Sequence, residues 1–415
     1  MTLSTTTFES YVETLRRSGL LKSQLLDQLV ADFEQQPTGK PEDCEPLVKR
    51  LLSENILTDW QHGHILAGRN RGFFLGNYKL LKMLGAGGMG AVYLAEHTFM
   101  QRRVAVKVLF EAQVDQVGLE RFHLECRTIA ALDHPNIIRA HDFDSDGEFL
   151  YLVMEYIEGP DLHALVQQRE MLPFVEAANY IRQAAEGLAH AHGKGMIHRD
   201  IKPANLLVDP KGVLKILDLG LARITNRNRD EKSITTAGAA EAILGTVDFL
   251  APEQAVDCHN VDYRADIYSL GCTFYYLMTG HAPFPEGNVP QRLMRHQLED
   301  PPSISLERPD VPEELAELCM KMMAKSLEDR VQTAAQVAEQ IRRWEVKVGA
   351  NIPTEGSASD TSINGNQPTT TVKKEQKVHL RCDRCRTVYR TSVEKAERVK
   401  VCPKCHGPLV RAETD

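Results

Sequence analysis

The sequence predicts an α+β chain in which a short strand-rich block feeds a larger helical block. Between residues 78 and 109 the apolar side chains fall in short β-prone runs, 79–84, 91–96 and 104–109, whereas beyond Leu162 they recur at helical spacing. Strands first and helices second is the pattern of an α+β domain built as two lobes. At 415 residues the chain is also too long for one compact core, so two or three domains are expected.

Taken in order, residues 1–72 read as a helical N-terminal extension. Phe8, Tyr11, Val12 and Leu15 are spaced for one helix face, Leu21, Leu25, Leu26 and Leu29 for a second, and Leu47, Leu51 and Leu52 mark a third. Gly19 and the stretch Pro37-Thr-Gly-Lys-Pro41 punctuate them. Two readings stay open for this extension: a helical module that docks a protein partner, or helices packed on the domain that follows. That domain spans residues 73–346. Residues 347–377 are nearly devoid of apolar side chains and rich in Gly, Ser and Thr, the composition of a flexible linker. Residues 378–412 form a compact basic unit; across 378–415 nine Lys or Arg stand against five Asp or Glu, a net of +4.

Composition narrows the function classes. A hydrophobic fraction of 42% with 26% charged residues is that of a soluble globular protein, and a net charge of −8 argues against nucleic acid as the main partner. The richest apolar run, 267–278, is twelve residues and interrupted by Ser, Thr and Gly, too short for a membrane span. The first nine residues show neither a basic nor an apolar segment of a secretory leader, so the expectation is a cytoplasmic protein. Cys44, Cys126, Cys258, Cys272 and Cys319 are scattered singly and read as small buried hydrophobes.

The chemistry concentrates between Gly85 and Glu253. Gly85-Ala-Gly-Gly-Met-Gly90 fits G-x-G-x-x-G, with glycines at Gly85, Gly87, Gly88 and Gly90. A dinucleotide-binding turn of that spacing would open a helix, but here the β-prone run 91–95 follows. A glycine-rich turn between two strands can lie flat over a triphosphate and donate its amides to phosphate oxygens. Val104-Ala-Val-Lys107 then places a lysine within an apolar strand, where a charge is costly unless paired. Phosphates and a carboxylate are its natural partners, and Glu125 can supply the carboxylate. His198-Arg-Asp-Ile-Lys-Pro-Ala-Asn205 carries an acid able to orient a hydroxyl, a lysine able to neutralise a phosphoryl group, and an amide oxygen for Mg²⁺. Thirteen residues on, Asp218-Leu-Gly220 offers a second metal carboxylate, and Ala251-Pro-Glu253 closes the segment.

These motifs, in this order, closely resemble those of eukaryotic-type (Hanks-type) bacterial serine/threonine protein kinases, over residues 78–345. The resemblance implies a bilobal protein kinase fold, with a β-rich N-lobe and a helical C-lobe, using MgATP on protein substrates. It implies that Lys107 holds the α/β-phosphates and pairs with Glu125, that Asp200 orients the acceptor hydroxyl, and that Lys202 stabilises charge at the γ-phosphate. Asn205 and Asp218 would hold Mg²⁺. Leu84, Val92 and Ala105 would roof the adenine with Leu207 beneath it; Met154, Glu155 and Ile157 fall at the gatekeeper and hinge, and Asp161 meets the ribose. Lys202 and Gly245-Thr246 go with Ser/Thr rather than Tyr acceptors. The loop after Asp218 holds Ser233, Thr235 and Thr236, so activation is expected through autophosphorylation there, the phosphate pairing with Arg199. Leu219 departs from the family's usual Phe, which bears on inactive-state packing and leaves metal binding intact. Glu253 is expected to pair with Arg330, and Asp266 to tie down the loop around Asp200.

The remaining cysteines are Cys382, Cys385, Cys402 and Cys405, spaced C-x₂-C-x₁₆-C-x₂-C. This is zinc-ribbon spacing, able to deliver four thiolates tetrahedrally at about 2.3 Å. A unit this small cannot build an adequate core, so a structural zinc would supply its folding energy. With all four positions taken by Cys the metal has no open site for catalysis. Tyr389 is the unit's only aromatic, so base stacking is poorly supported and a protein-docking role is preferred. Three rivals to an active kinase are a pseudokinase scaffold, a small-molecule phosphotransferase, and a nucleic-acid-binding ribbon regulated by its kinase domain. Lys107, Asp200, Asn205 and Asp218, all present, count against the first. The complete segment from Gly245 to Glu253 counts against the second.

Overall fold

The computed structural model describes residues 7–35, 44–87, 90–110, 129–147, 149–218, 247–256 and 261–349, and in a second unit 377–382, 384, 388–392 and 408–411. Residues 1–354 form one compact unit and 355–415 the other.

Four helices open the first unit: α1 (Phe8–Ser18), α2 (Ser23–Gln35), α3 (Glu45–Ser53) and α4 (Asp59–Leu66). The hydroxyl of Thr7 caps α1 by accepting from the Ser10 amide. Tyr11, Leu15, Leu26, Leu29, Leu47, Leu51, Leu57, Ile65 and Phe73 bury a common core among these helices. Leu25 is instead exposed, and Leu21 precedes α2 rather than lying on its face. The reading that these helices pack on the following domain is what the structure displays: Trp60 sits edge-on to both Phe73 and Tyr93.

That domain begins with a six-stranded antiparallel sheet in the order β1-β2-β3-β4-β6-β5. Its strands are β1 (Phe74–Leu75), β2 (Tyr78–Gly87), β3 (Gly90–His97), β4 (Arg103–Phe110), β5 (Ala140–Asp146) and β6 (Phe149–Glu155). Alternation along β4 decides the two faces. Val104, Val106 and Val108 join Leu80, Ala95, Tyr151 and Val153 in an outer cluster against which Trp60 packs. Ala105 and Lys107 take the other face; the register sets Lys107 beside Val92 and Leu152, and Ala105 beside Leu94 and Met154.

The helical lobe comprises α5 (Leu162–Arg169), α6 (Phe174–Gly193), the hairpin β7 (Leu206–Val208) and β8 (Leu214–Ile216), then α7 (Pro252–Val256), α8 (Arg264–Thr279), α9 (Val289–Leu298), α10 (Ile304–Glu307), α11 (Glu313–Met322) and α12 (Ala334–Val348). Every residue of α8 from Ala265 to Thr279 is buried, so this helix is the axis of the lobe's core. It ends at Gly280, whose φ of +83° closes the helix where a Cβ would meet the Glu170 carbonyl at 2.3 Å. Cys272 and Cys319 lie fully buried here and Cys44 is half-buried in the N-terminal core, as small hydrophobes would be; Cys126 and Cys258 fall outside the described residues. α12 runs two residues beyond the expected domain end at 346, and Lys377 already belongs to a strand.

The second unit carries β9 (Lys377–Cys382) between β10 (Val388–Ser392) and β11 (Leu409–Arg411), all antiparallel. Cys382 ends β9; Cys385, Cys402 and Cys405 lie outside the described residues. Among the described residues no helix is long and apolar enough to cross a membrane.

Candidate active site

The cleft between sheet and helices collects the residues that the motifs singled out. Lys107, only 4% exposed on the inner face of β4, ion-pairs through Nζ with Asp218 Oδ1 at 2.7 Å. The carboxylate arrives because the chain leaving β8 turns at Asp218 with a φ of +56°, the left-handed region that a short polar side chain tolerates best after glycine. Glu125, the other expected partner of Lys107, lies outside the described residues.

The loop 198–205 is suspended from a buried carboxylate. Asp266, at the start of α8 and fully buried, accepts from the main-chain amides of His198 at 2.8 Å and Arg199 at 2.7 Å, and bonds His192 Nε2 at 2.8 Å. Burial by itself pushes the Asp266 carboxyl up; the hydrogen bond and charge of His192 and the charge and amide of His198 outweigh it and hold the group below the usual carboxylate range. The same carboxylate pins Arg199 at a φ of +68°. His198 Nε2 donates to the Leu217 carbonyl at 2.6 Å, which leaves Nδ1 to accept the Asp200 amide at 3.2 Å. One imidazole therefore ties the Asp200 loop to the residue preceding Asp218.

Asp200 is presented asymmetrically. Its Oδ2 receives Lys202 Nζ at 3.0 Å and Asn205 Nδ2 at 3.1 Å, while among the described residues none donates to Oδ1. Asn205 Nδ2 also donates to the Asp200 carbonyl at 2.7 Å, so both of its amide protons are engaged on Asp200. Asn205 Oδ1 and the Asp218 carboxylate are hard oxygen donors of the kind magnesium takes, so the donor set fits that ion. Further out, Gln254 of α7 donates to the Arg199 carbonyl at 2.9 Å. Glu253 receives both arms of Arg330 at 2.6 and 3.0 Å, with Arg330 fully buried. The expected pairing of Glu253 with Arg330 and the anchoring role of Asp266 are both present.

The walls of the cleft follow from register. Val92, Ala105 and Met154 come from the inner face of the sheet. Leu207 comes from below, half-buried between the fully packed Leu206 and Val208. Ile157 and Leu217 are each partly buried against the core. Glu155 Oε1 is engaged by Lys215 Nζ at 2.7 Å and by the Arg139 amide at 2.8 Å, and the Glu155 amide donates back to the Arg139 carbonyl at 2.9 Å. Asp161 caps α5, accepting the Ala164 amide at 2.8 Å, and bridges to Leu207. Gly85 pairs with Val92 and Gly87 with Gly90 across the mouth, and Gly90 takes a φ of +135° that favours glycine. Leu84 is exposed at the rim. Gly88, Leu219, Ser233, Thr235, Thr236, Gly245 and Thr246 lie outside the described residues.

Three participants carried no sequence signal of their own. His192, Lys215 and Gln254 act on main-chain atoms or on other residues of the site, and only the fold brings them there.

Comparison with known proteins agrees with this geometry. The family model described as protein kinase domain matches residues 78–341. A Bacillus subtilis protein named serine/threonine-protein kinase PrkC is 35% identical over 268 residues, 64% of this chain and 40% of that protein. Serine/threonine-protein kinase PknB of Mycobacterium leprae is 36% identical over 271 residues, 64% of this chain and 42% of its own. Serine/threonine-protein kinase Pkn1 of Myxococcus xanthus is 38% identical over 267 residues, 63% and 37% respectively. The chain thus spans about two fifths of the length of these relatives. With the family model matched over more than half its residues, and the motif residues gathered at one cleft, this chain belongs to the protein kinase domain family.

Proposed function

We propose that this protein is a serine/threonine protein kinase that transfers the γ-phosphoryl group of MgATP to Ser or Thr hydroxyls of other proteins. The observation that carries the reading is Asp200, with Oδ2 held by Lys202 and Asn205, in the same cleft as the Lys107–Asp218 pair. Asp200 accepts the hydroxyl proton as the acceptor oxygen bonds to the γ-phosphorus and the bond to the leaving oxygen of ADP breaks. Lys107 anchors the α/β-phosphates and Lys202 offsets charge at the group in flight. Magnesium, when bound, neutralises the triphosphate, and Asn205 and Asp218 are the residues that would hold it. The small Ala105, with Leu84, Val92 and Leu207, supports a flat base between the lobes, and Asp161 lies beside Leu207 for the ribose. Lys202 and Gly245-Thr246 favour Ser/Thr acceptors, and Thr235 or Thr236 would be the activating autophosphorylation site.

The test compares transfer from labelled MgATP by the full chain and by Asp200→Asn. The expected loss is about 10²–10⁴-fold, the usual contribution of a positioned acid or base. Equal transfer by the two proteins would overturn the reading. MgATP binding with no transfer by the unaltered chain, even with its phosphosites mapped and empty, would favour the scaffold.

For the second unit, the four cysteines Cys382, Cys385, Cys402 and Cys405 support a structural zinc and a docking role for another protein. Metal analysis of the purified chain should find about one zinc per molecule, lost in Cys402→Ser/Cys405→Ser. Zinc content unchanged in that variant would refute it.

A further inference from the structure

We infer that the N-terminal helices hold the nucleotide-binding strands in place through two side chains of one helix cap, Thr58 and Gln61, which act as positioning residues for the glycine-rich loop. The inference rests on the kinase reading above.

α4 begins with a reciprocal cap. The Thr58 hydroxyl accepts the Gln61 amide at 3.2 Å, and Gln61 Oε1 accepts the Thr58 amide at 3.0 Å. This arrangement uses one acceptor on each side chain and leaves each with protons to donate. Both donate to the same strand. Gln61 Nε2 bonds the Leu80 carbonyl at 2.6 Å, and Thr58 Oγ1 bonds the Leu81 carbonyl at 2.5 Å. Gln61 is 0% exposed, so its amide is wholly committed to the cap and to β2.

The recipient carbonyls lie at an irregularity. In the β2–β3 ladder Leu80 faces Ala95 and Lys82 faces Leu94, so Leu81 is an extra residue that faces no partner, and a second slip follows between Met83 and Gly85. A bulge disrupts the local ladder and bends the strand. Here the first bulge lies three residues before Leu84, the extra residue of the second slip, and Leu84 with Gly85 opens the loop. On its outer side β2 pairs with the two residues of β1, and the Leu80 amide donates to the Phe73 carbonyl at 2.8 Å; beyond that, among the described residues, no strand pairs with it. The cap of α4 meets that edge and fixes the main chain at the bend. Trp60, from the same turn, meets Tyr93 on β3 at 5.7 Å between ring centroids. One helical turn thereby grips both strands that lead into the loop, although none of its residues reaches the cleft. Aligning the loop before a nucleotide arrives removes ordering cost from binding, so loosening the grip should weaken nucleotide affinity more than it slows the step that follows.

The experiment uses the full-length chain with Thr58→Val and Gln61→Met, which keep side-chain volume and remove the donors, and Thr58→Ser, which keeps the hydroxyl. Each is assayed for KM and kcat with MgATP and, by calorimetry, for the dissociation constant of the non-transferable analogue MgAMP-PNP; far-UV circular dichroism confirms folding. The expected result is a rise of about five- to tenfold in KM and in the analogue's dissociation constant for Thr58→Val and Gln61→Met, roughly the worth of one net hydrogen bond. kcat should stay within about twofold, and Thr58→Ser should behave as the unaltered chain. Folded variants with a lowered melting temperature but an unchanged analogue affinity would reduce the cap to a structural role and overturn the inference. An unaltered chain that binds the analogue but transfers no phosphate would sink the kinase reading instead, and the analogue affinities would still decide this one.

Discussion

On the helical side of the cleft, the loop bearing Asp200 hangs from Asp266, a carboxylate with no exposed surface, through two main-chain amides, while His198 ties it to Leu217. On the strand side, Met83 and Leu84 are 45% and 43% exposed, and β2 is held at Leu80 by the buried Gln61 amide, contributed by a helix that precedes the kinase domain. The helical wall is thus fixed by polar groups that its own core buries. The strand wall is held partly from outside. An internal anchor cannot be released without unfolding the lobe around it, whereas an external one can be adjusted by whatever acts on the N-terminal helices.

The sharpest way to break this contrast is to remove the internal anchor. Asp266→Ala strands the buried amide of His198 and the partly buried amide of Arg199, each costing about 1–3 kcal/mol when left unpaired, so a loss of about 3–5 kcal/mol in denaturant unfolding is expected. Phosphoryl transfer should fall at least as far as in Asp200→Asn. Retention of transfer with a loss below about 1 kcal/mol would show that the loop is held by something else. A comparable effect is expected of Arg330→Met, which leaves Glu253 without its bidentate partner in a largely buried setting. About 3 kcal/mol is the usual cost of orphaning one member of such a pair.

On the strand side the expected effect is smaller. Trp60→Ala removes edge contacts with Phe73 and Tyr93, and because the indole is only half-buried about 2 kcal/mol is expected rather than the 3–5 of a fully buried aromatic. The loss should appear in the early part of a denaturant transition if the N-terminal helices and the sheet separate before the helical lobe melts. A single transition shifted as a whole would mean that the two walls share one cooperative unit, and the contrast would soften.

The two walls also differ in how far the sequence disclosed them. The valines of β4 announced a strand and its two faces, and Lys107, Asp200, Lys202, Asn205 and Asp218 could be singled out before any coordinates because the motifs that hold them, in their order, resemble those of protein kinases. The first three N-terminal helices were legible from the spacing of their apolar residues. The fourth was not: Asp59–Leu66 is short, contains Gly63, and has no clear apolar stripe. Its cap, Thr58 with Gln61 three residues on, was the available signal. The Gln61–Leu80 and Thr58–Leu81 bonds had none, since a carbonyl at a β-bulge is invisible to any rule of composition or period. Lys215 and His192 were likewise unreadable, because each acts through a residue more than 50 positions away.

The smallest predicted effect gives the contrast its scale. His281 and Glu307 form a pair at 2.7 Å, nearly the same separation as His192 to Asp266 at 2.8 Å, yet both of its side chains are more than a third exposed. The hydrogen bond to Glu307 outweighs burial and raises the His281 pKa, and the same bond holds the Glu307 carboxyl down. A raised imidazole pKa contributes stability that is complete below the unfolded value of about 6.5 and disappears as pH climbs through the folded one. A lowered carboxyl contributes above its unfolded value of about 4.3 and is lost as pH falls through the folded one. The pair therefore stabilises between roughly pH 4.5 and 6.5 and fades toward pH 8. Solvent screening at this exposure limits its worth to about 0.5 kcal/mol. Denaturant unfolding of His281→Gln beside the unaltered chain should show that difference at pH 6 and none at pH 8. At Asp266 a histidine–carboxylate bond of nearly equal length belongs to an anchor whose removal costs several times as much, because burial leaves the main-chain amides no water to turn to. A difference above about 2 kcal/mol for the surface pair would mean that separation rather than burial sets the strength of these bonds, and the distinction between the two walls would lose its physical basis.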